Sequence, residues 1–389
     1  MTSDPISKQA ALKFIILMGV VSLFADMTYE GARSINGPFL ASLHANAAIV
    51  GFVAGFGELI GYSFRLFSGY LAERTGKYWG ITILGYTCNL LAVPLLALAG
   101  SWWLAAVFMT VERLGKALRV PAKDAMLSHA GSKMGMGWAF GLHEALDQAG
   151  AMLGPLIIAA VLFFKGDYRI GYAVLLIPAL LALSFLFIAR MKYPHPQSLE
   201  VSTQNLESKN LPSAFWIYVL GAALIAAGYA DFPLIAYHFQ KSSIFSPVWI
   251  PISYSLAMGV NVISAPLLGY SYDRIGFILL IPISFVSVIF APLTFLGGAD
   301  LAILGVLIWS IGIGAQESLM RAILANLVPK NRRASAYGIF NTAFGIFWFF
   351  GSVIMGICYD YSIPLLVSFS VVIQLVGVAT LMIVMKKIK

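Results

Sequence analysis

Apolar residues run along this chain in twelve blocks, each long enough to cross a hydrocarbon core as a helix. They cover about residues 12–42, 47–72, 78–100, 102–124, 137–164, 168–190, 213–240, 246–272, 276–297, 299–326, 333–359 and 362–386. One long polar stretch interrupts them, Lys192 to Pro212, reading KYPHPQSLEVSTQNLESKNLP. It has no apolar periodicity and is rich in Ser, Asn, Gln and Pro, which predicts a cytoplasmic linker. The chain then divides into an N-terminal six-helix bundle over 1–191, a linker over 192–212 and a C-terminal six-helix bundle over 213–389.

The loop charges orient the helices. With the N-terminus inside, the cytoplasmic segments hold 15 Lys and Arg and the outer loops hold 3, namely Lys165, Arg169 and Lys241. That bias places both termini in the cytoplasm and requires an even helix count. The remaining 7 of the 25 Lys and Arg lie within predicted helices.

Composition agrees with the pattern. Of 389 residues, 60% are hydrophobic and 11% charged, against about 25% charged in a soluble domain. A soluble enzyme, a disordered chain and a secreted disulfide scaffold are excluded. The net charge of +8 sits in short loops on one side, so it answers to orientation and not to nucleic acid. Cys88 and Cys358 are isolated within apolar blocks and read as small buried hydrophobes. The polar stretch before the first block has no cleavage signature, so that block reads as a retained helix. These features predict a multi-pass protein of the cytoplasmic (inner) membrane.

The two halves repeat. GYLAERTG begins at Gly69 and GYSYDRIG at Gly269, each between the second and third helix of its half. AFGLHEALDQAGAMLGP aligns with AYGIFNTAFGIFWFFGS at an offset of 197, and Phe24-Ala25-Asp26 is similar to Tyr229-Ala230-Asp231. Repeats of this kind mark two-bundle transporters. The string from Gly69 through Glu73, Arg74 and Gly76 to Lys77, with its second copy at Asp273 and Arg274, resembles the major facilitator superfamily. Glu73 stands where the family pattern has Asp. The resemblance covers essentially the whole chain. It implies an all-α fold of twelve transmembrane helices in two pseudo-symmetric bundles, with the first, fourth, seventh and tenth lining a central cavity. It also implies that the Gly69–Lys77 loop and its copy act in gating at the cytoplasmic side.

Ionisable residues inside the apolar blocks carry the candidate chemistry, because each costs at least ~2.5–3.5 kcal/mol at the membrane centre unless it meets a partner or a polar cavity. The first block holds Asp26, Glu30 and Arg33 on one face. Asp26 and Glu30 read either as a protonatable pair, since two carboxylates one turn apart cannot both be ionised cheaply, or as static counter-ions. Glu58 and Arg65 share a side of the second block. On the fourth, Glu112, Lys116, Arg119 and Lys123 fall within an arc of about 60°, with Arg113 on the adjoining face. Pro121 interrupts the hydrogen-bond ladder there. Arg113 matches by depth the helix-4 arginine that takes part in proton transfer in the superfamily, and so becomes the expected partner of Asp26. The other bases read as counter-ions for the acids or as a seat for an anionic solute. The fifth block holds His143, Glu144 and Asp147, then Gly150-x3-Gly154-Pro155. In the superfamily that element is typical of exporters; close helix packing is the plainer reading. The second half adds Asp231 and His238, seven apart, and Glu317 and Arg321, four apart.

Coupling is therefore expected at Asp26, Glu30, Arg113 and Asp147. No phosphate-binding loop or His-Glu-x-x-His occurs, which leaves an ion or solute gradient as the energy source. The expected function is proton-coupled export of a small organic solute by a monomer. It needs no cofactor, and its partners are the bilayer, the solute and protons. Uptake of an anionic solute is the alternative, and a non-transporting receptor a third class.

Overall fold

The computed structural model describes residues 8–131, 136–194, 211–328 and 333–388. Among them every regular element is a helix. In chain order these are α1 (Lys8–Arg33), α2 (Asn36–Ser42), α3 (Ala47–Thr75), α4 (Tyr78–Leu95), α5 (Trp102–Gly131), α6 (Met136–Lys165), α7 (Tyr168–Val174), α8 (Leu176–Lys192), α9 (Ser213–Gly228), α10 (Phe232–Lys241), α11 (Trp249–Ile275), α12 (Leu280–Ser287), α13 (Phe290–Leu296), α14 (Ala299–Leu327), α15 (Arg333–Tyr361) and α16 (Ile363–Ile388). Eleven of the predicted blocks are long and apolar enough among the described residues to cross a membrane. The fourth forms α5, 30 residues long and too rich in charge for that description.

Four blocks are broken where the sequence predicts one continuous helix. The breaks between α1 and α2, α7 and α8, α9 and α10, and α12 and α13 each fall three or four residues before a proline: Pro38, Pro178, Pro233 and Pro292. A proline ring has no N–H for the carbonyl four residues back and collides with it. Other prolines sit inside unbroken helices, at Pro94, Pro121, Pro155 and Pro266. At Pro121 the structure supplies a substitute donor. The Ser68 hydroxyl of α3 donates to the Ala117 carbonyl, the group Pro121 leaves without its helical partner, at 2.7 Å.

The chain forms two compact units. One spans Met1–Arg33 with Phe64–Thr203, the other Ser34–Ser63 with Gln204–Lys389. α3 thus begins in the second unit and ends in the first. In the first unit α1 lies against α6 at backbone contact distance. A Cβ on Gly150 would sit 2.2 Å from the Leu23 carbonyl oxygen, and one on Gly154 2.3 Å from that of Met27. α4 and α5 meet as closely, with a Cβ on Gly115 falling 2.3 Å from the Asn89 nitrogen. Phe14, Met18, Trp79, Tyr86, Leu90 and Leu186 fill the core beside them.

In the second unit the α9–α10 break is pinned by side chains. The Gly228 carbonyl accepts from Ser370 at 2.7 Å and Gln374 at 3.0 Å, and the Ala230 carbonyl from the Trp309 indole at 2.9 Å. Tyr229 donates back to the Trp309 carbonyl at 2.7 Å. Both oxygens of Asp360, near the end of α15, accept from the first amides of α3, Ala47 at 3.1 Å and Ala48 at 2.9 Å. The motif glycines Gly76 and Gly276 follow α3 and α11 with φ of 63° and 70°, a left-handed conformation that favours glycine at both repeats.

Candidate functional site

The charged residues of α1, α5 and α6 converge inside the first unit. Asp26 and Glu30, one turn apart on α1, are buried, as are Glu112, Arg119 and Lys123 on α5 and His143 on α6. Each lysine and arginine of α5 has an acid within 4.0 Å: Arg119 with Asp26 at 4.0 Å, Lys116 with Glu30 at 3.8 Å, Arg113 with Glu112 at 3.4 Å and Lys123 with Asp124 at 3.8 Å.

Arg119 therefore lies beside Asp26, the place expected for Arg113. The pairs Arg119–Asp26 and Lys116–Glu30 set α5 antiparallel to α1, and Arg119 lies 17 residues after the start of α5 at Trp102 (119 − 102). Arg113, six residues nearer that start, meets the neighbouring Glu112 instead.

Aromatic rings hold the bases in place. The Arg119 guanidinium is 4.2 Å from the Tyr86 ring centre and 5.6 Å from that of Tyr29, with the residue only 1% exposed. Lys116 Nζ lies 3.9 Å over Tyr29. A cation on an aromatic face in a desolvated site gains on the order of 2 kcal/mol, which helps offset its burial. Asn89 of α4 reaches across the close α4–α5 contact and donates to the Glu112 carbonyl at 3.0 Å and to its carboxylate at 2.8 Å. His143 Nε2 meets the Ser22 hydroxyl at 2.9 Å.

Asp147 lies within the electrostatic reach of Lys123, His143, Arg119 and Lys116 but makes no ion pair within 4.0 Å among the described residues. It is half-buried, and its Oδ1 is shielded from solvent without a hydrogen-bond partner among the described residues. Glu144 is exposed and accepts from Gln148 at 3.0 Å. Gly150 and Gly154 pack against α1, and α6 runs unbroken through Pro155.

The remaining predicted residues are dispersed. Arg33 lies at the end of α1. Glu58 is buried in the second unit. Asp231, also there, accepts from the Trp348 indole at 2.9 Å and Ser352 at 3.4 Å. His238 pairs with Tyr359 at 3.0 Å. Gly69 meets Pro121 in ordinary contact, and space is open beside Gly269. Arg74 and Lys77 are exposed, and Arg274 stacks on Tyr270 at 4.3 Å. The side chains of Glu73, Asp273, Glu317 and Arg321 lie outside the described residues. Sequence reasoning passed over Ser22, Tyr29, Tyr86 and Asn89. Asn89 could have been found, since an amide in an apolar span needs a partner for the same reason a charge does.

A family model described as Major Facilitator Superfamily matches residues 17–384. The chain belongs to the Major Facilitator Superfamily. An uncharacterized protein of Mycobacterium bovis is 39% identical over 375 residues, covering 95% of this chain and 92% of the relative. An uncharacterized MFS-type transporter of Methanocaldococcus jannaschii is 26% identical over 361 residues, covering 90% and 89%. Among solved structures, a variant of the nucleoside transporter NupG superposes with a TM-score of 0.78 at 12% identity, covering 94% of this chain and 99% of that one. A bacterial homologue of the lysosomal transporter Spinster gives 0.71 at 15%, covering 97% and 95%. At those identities the likeness is one of fold. The protein is thus a multi-pass membrane protein of the MFS fold, and its family's work is secondary transport of small solutes.

Proposed function

We propose that this MFS protein exports a small organic solute from the cytoplasm in exchange for protons, working as a monomer in the cytoplasmic membrane. The observation that carries the reading is the pairing in the first unit. Asp26, Glu30 and Glu112 each have a base close by, while Asp147 has no base within ion-pair distance among the described residues. Asp147 can therefore exchange a proton without first breaking an ion pair. Its charge then alters the field on Lys123 and on Arg119 and Lys116, whose pairs with Asp26 and Glu30 hold α5 to α1. An arrangement of acids and bases with one titrating member is a two-state device of the kind that couples a proton to a conformational change. The direction of export is supported by Gly150-x3-Gly154-Pro155. Gating is assigned to Gly69, Glu73, Arg74, Gly76 and Lys77 with Asp273 and Arg274 of the second copy. That the four Lys and Arg of α5 all have acid neighbours supports a solute that is not required to be anionic.

The test is flux in proteoliposomes with a solute found by thermal-shift screening. Asp147→Asn should keep downhill exchange and lose both gradient-driven accumulation and solute-induced proton movement. Proton coupling equal to the parent protein in Asp147→Asn would overturn the assignment, and proton movement in the same direction as the solute would overturn export.

A further inference from the structure

In the second unit α14 presents one face to the broken α9–α10 helix. Trp309, Gly312, Gln316 and Met320 lie on it within an arc of about 80°. Its two ends are anchored. Trp309 exchanges hydrogen bonds with Tyr229 and Ala230 at the break, and the Met320 carbonyl accepts from Tyr218 of α9 at 2.7 Å. Gly312 has no room for a side chain, since a Cβ there would fall 1.9 Å from the Tyr229 hydroxyl.

Gln316 sits between these anchors near the middle of α14 and is 6% exposed. Its amide nitrogen and its amide oxygen are both closed off from solvent, and neither has a hydrogen-bond partner among the described residues. The facing stretch of α9 cannot provide one, for between Tyr218 and Tyr229 it reads Val-Leu-Gly-Ala-Ala-Leu-Ile-Ala-Ala-Gly. A buried primary amide left wholly unpaired lowers stability, and methionine would fill the same volume without that loss. Such a group is accounted for when its partner is present only part of the time.

We infer that Gln316 reads the transported solute, pairing with a group that offers a hydrogen-bond donor and an acceptor side by side, as a carboxamide, lactam or urea does. A glutamine amide meets such an edge with two parallel hydrogen bonds. In the conformation seen here the amide is enclosed, so the solute reaches it in another state of the transport cycle. The inference rests on the family's transport of small solutes and not on the proton coupling proposed for the first unit.

The experiment measures thermal unfolding of the purified full-length protein and its Gln316→Met variant. Nicotinamide and uracil serve as probes, with 1,3-dimethyluracil, which has acceptors but no N–H donor, as control. Without ligand the variant should melt at a higher temperature, because an unpaired amide has been removed. Nicotinamide or uracil should stabilise the parent protein while 1,3-dimethyluracil does not, and the variant's apparent affinity should fall about tenfold or more. A lower melting temperature in Gln316→Met would show that the amide supports the fold, and would overturn the inference. So would equal affinities in the two proteins, or no response of the parent to either probe. The readout is equilibrium binding without a proton gradient, which separates this result from a failure of the coupling proposal.

Discussion

Replacing Ser68 by alanine removes the side-chain donor that serves the carbonyl Pro121 strands on α5. Ser68 is fully buried and its hydroxyl lies 2.7 Å from the Ala117 oxygen. Leaving a buried carbonyl without a donor costs about 1–3 kcal/mol, so Ser68→Ala should destabilise the first unit by that amount. The reasoning makes a sharper claim about the pair. In Pro121→Ala the restored N–H bonds Ala117 within the helix, and the same serine substitution then removes a redundant donor, with a loss of about 0.5–1 kcal/mol. The coupling in the four-member cycle should be about 1–2 kcal/mol, a factor of roughly 5–30 in the unfolding equilibrium. The assay is denaturant unfolding in detergent micelles followed by tryptophan fluorescence, on the parent, both single variants and the double variant. Equal losses on Ser68→Ala in the two backgrounds, within about 0.3–0.5 kcal/mol, would refute the argument that the serine exists to serve the proline. The contact bears on function because it fixes the stretch of α5 that carries Arg119 and Lys123.

Two more outcomes follow from packing and capping. Gly115→Ala puts a Cβ 2.3 Å from the Asn89 nitrogen, so α4 must withdraw and the Asn89–Glu112 bonds must lengthen; a loss of about 1–3 kcal/mol is expected in the same unfolding assay, while Gly141→Ala, with open space around it, should be neutral or stabilising. Asp360→Ala removes the carboxylate that caps α3 and should cost about 0.5–2 kcal/mol, with Asp360→Asn recovering part of it; no change in either variant would show that the cap contributes nothing.

Much of this site is legible in the sequence because charge stands out in an apolar background. Asp26, Glu30, Lys116 and Arg119 are found by spacing alone, and so is their location on two helices. Which base meets which acid is not legible. That depends on how far one helix is slid along the next, a matter of a turn or two that the ends of the apolar blocks do not fix. The same limit governs the prolines themselves. Pro121 and Pro233 look alike in sequence, yet α5 continues through one and the helix stops before the other. The difference lies partly in a neighbour, since Ser68 supplies a donor at Ala117, and that neighbour comes from another helix. Tyr29 and Tyr86 were passed over because an aromatic residue in a membrane span has many uses, and only the rings' placement over Lys116 and Arg119 selects one.

The way α3 is shared between the units bears on how the protein is made. Ala47 and Ala48 wait for Asp360, which is 313 and 312 residues further along the chain. At a synthesis rate of about 5–20 residues per second, the start of α3 spends roughly 15–60 s without its cap, and Gly51 the same interval without the backbone of Ser352 beside it. The first unit can close much sooner, but the second has to recover a hairpin that left the ribosome before most of the first was made. Cutting the gene at the polar linker would therefore not yield two self-sufficient halves. The C-terminal product would lack Ser34–Ser63, and it should mature only when the N-terminal product is synthesised in the same membrane.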